Sequence, residues 1–129
     1  MTPDLRVLYV DDDDDIRTIA TMALRIDAGM DVRAVSSGQE ALDMLEREPW
    51  RPDVILLDVM MPGMDGFELH AALGERDDLG EAKTIFMTAR ASRAGLDEYV
   101  ATGADGVILK PFDPMTLATK VRAVVARPG

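Results

Sequence analysis

The chain has 129 residues, 24 acidic against 14 basic, giving a net charge of −10 and a pI near 4.4. That length suits one compact domain, and 47% apolar beside 29% charged residues describes a globular chain with its own core rather than a disordered one. The acidity argues against direct nucleic-acid binding by this chain, the lack of Cys removes disulfides and thiolate chemistry, and a single histidine, His70, excludes a multi-histidine metal centre.

From the N-terminus, Met1-Thr2-Pro3-Asp4 shows no basic-then-apolar pattern of a secretory signal, and Arg6 to Val10 reads as a buried strand. Five consecutive aspartates, Asp11 to Asp15, follow. Ile16, Ile19, Ala20, Ala23 and Leu24 then recur at three- and four-residue spacing, one face of a helix. Asp31 to Val35 alternates as a half-buried edge strand does. Ser37 stands three residues before Glu40, the spacing of a capping box, and Ala41, Leu42 and Leu45 continue that helix. Pro49 to Pro52 turns the chain into the apolar run Val54 to Leu57.

Pro62 to Gly66 is a second turn, with a helix from about Phe67 to Arg76. Lys83 to Met87 is a fourth strand, Ser92 to Thr102 a fourth helix, and Gly106 to Leu109 a fifth strand. Asp113 is expected to cap a last helix through Leu117, Val121, Val124 and Val125. Strand and helix alternate five times, so the expected fold is α/β: a doubly wound (βα)5 sandwich around a central five-stranded parallel sheet. The whole chain, 1–129, reads as one domain with its core at about 5–125. Its apolar stretches are too short to span a bilayer, so no membrane partner and a cytoplasmic location are expected.

In such a sheet, sites form beyond the carboxyl ends of the strands. The residues there are Asp11 and Asp12, Asp58, Thr88 and Ala89, and Lys110 and Pro111. Neighbouring carboxylates repel unless a cation joins them, and an all-oxygen set suits Mg²⁺. A phosphoryl group bound there would be neutralised by Mg²⁺, the Lys110 ammonium and the Thr88 hydroxyl, and Asp58 is competent as its covalent acceptor. Asp13 to Asp15 read as a solvated helix start, with Asp14 as N-cap. A calcium-loop reading of Asp11, Asp13 and Asp15 fails, because Ile16 stands where Gly is needed and Met22 where Glu is needed.

Four motifs carry a family resemblance: Val10-Asp11-Asp12, Leu57-Asp58-Val59-Met60-Met61-Pro62-Gly63-Met64-Asp65-Gly66, Met87-Thr88-Ala89 and Leu109-Lys110-Pro111-Phe112. In order and spacing the chain resembles the receiver domain of two-component response regulators, from about Leu5 to Val125, in the size of the chemotaxis-type single-domain members. The resemblance implies a flavodoxin-like fold and a phosphoacceptor switch rather than a conventional enzyme. It makes Asp58 the phosphoacceptor, with Lys110 and Thr88 as its catalytic partners. Asp11, Asp12, Asp58 and the Met60 backbone carbonyl would hold Mg²⁺. It implies a sensor histidine kinase or histidine phosphotransfer protein as phosphodonor, an unidentified downstream protein target, and a signal read on the surface of the fourth helix, fifth strand and last helix. Receivers commonly carry an aromatic ring in the fifth strand, where this chain has Val107; Tyr99, on the fourth predicted helix, is a candidate substitute.

Two other functions compete. A haloacid-dehalogenase-type phosphatase would use Asp11 and Asp13, but it needs an acidic pair beyond the lysine, where only Asp113 stands. A phosphorylation-independent interaction module would keep the pocket for Mg²⁺ or for stability, and Val107 leans toward it. Within the main reading, the lack of a visible linker favours a free single-domain protein over a piece of a longer chain. His70 reads as an exposed helix residue, Trp50 as a packed loop residue, and the nine methionines as core and loop filling.

Overall fold

The apolar runs become strands and the periodic segments become helices that cover them. In the computed structural model, which describes residues 3–89, 99 and 101–126, the strands are β1 (Leu5–Val10), β2 (Met30–Val35), β3 (Val54–Asp58), β4 (Lys83–Thr88) and β5 (Gly106–Leu109). The helices are α1 (Asp14–Arg25), α2 (Gly38–Arg47), α3 (Gly66–Gly74) and α4 (Leu117–Val125). Most of the predicted helix from Ser92 to Thr102 lies outside the described residues, though Tyr99 and Ala101 are helical. Among the described residues no helix is long and apolar enough to cross a membrane.

All five strands are parallel, in the order β2-β1-β3-β4-β5, with β2 at an edge as its alternation predicts. Strands buried on both faces cannot alternate, and every residue of β3 is buried. Side chains of opposite parity feed two cores. One holds Val7, Tyr9, Leu56, Ile85 and Met87 under α1 and α4. The other holds Leu8, Val10, Ile55, Leu57 and Phe86 under α2 and α3, with Tyr99. This is the doubly wound flavodoxin-like sandwich.

Several local details differ from the sequence-based expectation. The N-cap of α1 is Asp13, not Asp14: Asp13 has extended backbone and accepts from the amides of Asp15 at 3.0 Å and Ile16 at 3.1 Å. Asp14 is already helical and pairs with Arg17. The Ser37 box is half made. Ser37 accepts from the Glu40 amide at 3.0 Å, but the Glu40 carboxylate turns to Ser36. Asp65 and Glu68 form the complete reciprocal box, at the start of α3. The last helix begins later than expected, after Thr116, because Asp113 caps a preceding turn by accepting from the Met115 amide at 2.9 Å. His70 is half-buried rather than exposed: its Nε2 donates to the Thr102 carbonyl at 2.9 Å, and its ring meets Phe86 edge-on. Trp50 packs in its loop as expected, donating to Asp31 with the Arg33 guanidinium over its ring.

Candidate functional site

Register brings the strand ends together. Val10 lies opposite Val35 and Leu57, Asp58 opposite Met87, and Thr88 opposite Leu109. Asp11, Asp58, Thr88 and Lys110 therefore reach one edge of the sheet from β1, β3, β4 and β5. Gly66 lets α3 begin directly against that edge. A Cβ there would lie 2.6 Å from the Asp58 carbonyl oxygen and 2.9 Å from the Val59 Cα, a clash with backbone that cannot yield. The Gly66 amide uses this close approach to donate to the Val59 carbonyl at 3.1 Å.

Carboxylate oxygens of Asp11, Asp12 and Asp58 all lie within 4.8 Å of one another. Asp11 and Asp58 are buried and Asp12 is exposed, so the cluster has an inner wall and an open side. Lys110 places its Nζ 3.2 Å from Asp11 Oδ2 and 3.2 Å from Asp58 Oδ1. Its link to Pro111 is a cis peptide. Asp11 is held from further directions: Tyr9 donates its hydroxyl to Oδ2 at 3.0 Å, and the Asp13 amide donates to Oδ1 at 3.0 Å. Burial, and then the adjacent Asp11 carboxylate, push the Tyr9 phenol well above its ordinary range, so it serves as a neutral donor.

One ammonium does not neutralise three carboxylates. Burial first, and repulsion from Asp11 second, push the Asp58 carboxyl up to about 6 against the opposing pull of Lys110. A negative pocket whose candidate ligand atoms are all carboxylate oxygens fits a hard divalent cation such as Mg²⁺. Of Met60, the defined contact is its amide, which donates to Asp58 Oδ1 at 3.3 Å; its side chain is exposed. The Thr88 hydroxyl is buried and 2.9 Å from that of Tyr99. Val107 is half-buried and packs on the core beside Phe86, its neighbour in register. Asp113, the single acid available to a dehalogenase-type site beyond Lys110, is engaged with its own turn.

Sequence reasoning named Asp11, Asp12, Asp58, Thr88 and Lys110, and the structure brings all five to one edge. It missed Tyr9. The signal was present, since a polar-tipped ring two residues before Asp11 shares its side of the strand.

Comparison with known proteins agrees with this geometry. The family model "Response regulator receiver domain" matches residues 7–122. The transcriptional regulatory protein CseB of Streptomyces coelicolor is 38% identical over 129 residues, covering 100% of this chain and 53% of the relative. The DNA-binding response regulator MtrA of Mycobacterium tuberculosis is 36% identical over 122 residues, 95% of this chain and 51% of the relative. The chain thus spans about half the length of these curated relatives. Their names leave the expected exclusion of nucleic acid, drawn from this chain's acidity, without support. Among solved structures, the chemotaxis protein CheY4 of Vibrio cholerae matches with a TM-score of 0.82 and 34% identity, covering 96% of this chain and 99% of that one. A response regulator of Chloroflexus aurantiacus matches with a TM-score of 0.84 and 31% identity, covering 98% and 100%. The chain belongs to the receiver domains of response regulators, the signalling modules of two-component systems.

Proposed function

We propose that this receiver is a phosphoacceptor switch in which Asp58 takes a phosphoryl group from the phosphohistidine of a sensor kinase or phosphotransfer protein. The observation that carries this reading is the shared Lys110 ammonium, 3.2 Å from both Asp11 and Asp58, in a pocket to which Asp12 adds a third carboxylate. An Asp58 oxygen attacks phosphorus, the P–N bond breaks, and its electron pair returns to the imidazole nitrogen. Lys110 then pairs with a phosphoryl oxygen, and the Thr88 hydroxyl donates to another. Mg²⁺, held by Asp11, Asp12, Asp58 and the Met60 carbonyl, would supply the remaining neutralising charge. Hydrolysis reverses the state: water attacks phosphorus, inorganic phosphate leaves, and the carboxylate is restored. The two states differ in the surface of β5, α4 and the segment before β5.

Incubation with a small-molecule phosphodonor and Mg²⁺, followed by intact mass, tests the reading. The native chain is expected to gain one phosphate mass, and Asp58→Asn to gain none. A folded native chain that gains nothing at saturating Mg²⁺ overturns it.

A further inference from the structure

Tyr99 is fully buried, 0% exposed, and its hydroxyl lies 2.9 Å from that of Thr88, itself 3% exposed. The fifth-strand position carries Val107, whose side chain has no polar atom to offer Thr88. Resting on the phosphoacceptor reading, we propose that Tyr99 couples the site to the rest of the fold: its hydroxyl bond to Thr88 ties the state of Asp58 to the helical turn that carries Tyr99.

A hydroxyl has one proton to donate and can accept two. Before loading, either member of the Thr88–Tyr99 pair can be the donor. Once Thr88 gives its proton to a phosphoryl oxygen, it can only accept from Tyr99, so loading fixes the direction of the bond. The threonine oxygen then sits in a chain, Tyr99 O–H to Thr88 O–H to phosphoryl oxygen, in which each bond polarises the next.

The ring cannot absorb a shift of its hydroxyl alone. It stacks on Phe67 of α3, with centroids 5.6 Å apart and planes at 18°, and tilts against Phe86 of β4 at 5.6 Å. Side chains packed this closely move together or not at all. The Tyr99 carbonyl accepts from the Thr102 amide at 3.2 Å, and the Thr102 carbonyl accepts from His70 Nε2 on α3 at 2.9 Å. Displacement of the Tyr99 hydroxyl is thereby passed to α3 and to the turn entering β5. Tyr99 contacts no reacting atom; it is a positioning and coupling residue.

The chain contains only two tyrosines, which makes the test direct. Protein labelled with ¹³C at the tyrosine Cζ gives two resonances, assigned with Tyr9→Phe and Tyr99→Phe. Tyr9 bonds the metal-site carboxylate of Asp11 and so reports loading of the pocket, whereas Tyr99 reports the coupling. On adding Mg²⁺ and beryllofluoride, a stand-in for the phosphoryl group, both resonances are expected to shift. In Thr88→Val, compared at the beryllofluoride concentration that saturates the Tyr9 response of each protein, the Tyr99 shift is expected to vanish, and Thr88→Ser, which keeps the hydroxyl, restores it. A Tyr9 resonance that moves while Tyr99 stays still overturns the coupling and leaves the phosphoacceptor reading intact. A Tyr99 shift undiminished in Thr88→Val overturns it too, because the signal then travels by packing alone. If neither resonance moves, the phosphoacceptor reading fails and the coupling with it.

Discussion

Lys110 and Arg122 each stand between two aspartates, at opposite ends of the sheet, and Asp58 beside the first is shifted in the opposite direction to Asp4 and Asp27 beside the second. At the amino end, Arg122 donates to Asp4 at 2.9 Å and closes on Asp27, joining the start of the chain, the α1–β2 turn and α4. Its hydrogen bonds hold both carboxyls below their usual range, with the Gly29 amide helping at Asp27. At the carboxyl end, Lys110 serves Asp11 and Asp58 with one ammonium, and Asp58 is pushed up to about 6. Two differences decide the outcome. A guanidinium offers several directed donors where an ammonium is a point charge, and the Arg122 cluster stays wet while Asp11 and Asp58 are buried. The first cluster is electrostatically complete. Among the described residues the second is short of positive charge, which suits the proposed binding of a cation and a phosphoryl group.

The strongest way to break this contrast is to remove the cation from the incomplete side. Lys110→Met leaves two buried carboxylates without their counter-charge, and metal-free stability at pH 7 is expected to fall by about 3 kcal/mol. Much of that loss should return at pH 5, where Asp58 protonates, or on adding Mg²⁺. Urea unfolding under the three conditions checks it; an equal loss in all three means Lys110 is not the counterion.

The pH dependence of the native chain sharpens the comparison next. Asp58 is protonated more readily folded than unfolded, so its share of stability is fully present below about pH 3.8 and lost as pH rises to about 6. The loss is on the order of 2 kcal/mol in metal-free protein. Asp4 and Asp27 act the other way: with lowered carboxyls, their contribution is present above the unfolded value near 3.8 and lost on acidification below it. Unfolding measured from pH 3 to 7.5 should show the falling limb. It should flatten in Asp58→Asn and also under Mg²⁺, which favours the ionised carboxylate. A limb unchanged in Asp58→Asn assigns it to another group.

A smaller effect is expected from Tyr9→Phe, which removes the hydroxyl orienting Asp11 and keeps the ring in the core. Outer-shell donors of this kind typically govern about a tenfold change in metal affinity. Calorimetric Mg²⁺ titration of the two proteins measures it, and equal affinities would make Tyr9 a packing residue only.

The fold was legible because its signals are local. Four consecutive apolar residues, Val54 to Leu57, between turn residues can hardly be anything but a buried strand, and a carboxylate at the end of such a run draws attention to Asp58. Thr88 and Lys110 were found the same way, by their place after a strand. The rest depended on geometry that spacing does not encode. Whether Asp13 or Asp14 caps α1 turns on one residue's backbone angles, and five identical aspartates carry no mark of which one bends. The start of α4 was misread because Asp113 caps a turn and a helix with the same chemistry. His70 was misread because its partner, the Thr102 carbonyl, is 32 residues away.

The Arg122 cluster was invisible for that last reason in stronger form, since Asp27 and Asp4 are 95 and 118 residues from Arg122. Its removal completes the comparison and carries the smallest expected effect. Arg122→Gln breaks a solvent-screened network, so Tm should fall by only a few degrees, and less in high salt. The acid-side dependence attributed to Asp4 and Asp27 should shrink with it, because nothing then holds those carboxyls low. Phosphorylation of Asp58 and Mg²⁺ affinity should be unchanged, as the sheet separates the two ends. A change in either would mean that the clamp at the amino end sets the position of the strand ends opposite, making the two clusters parts of one device.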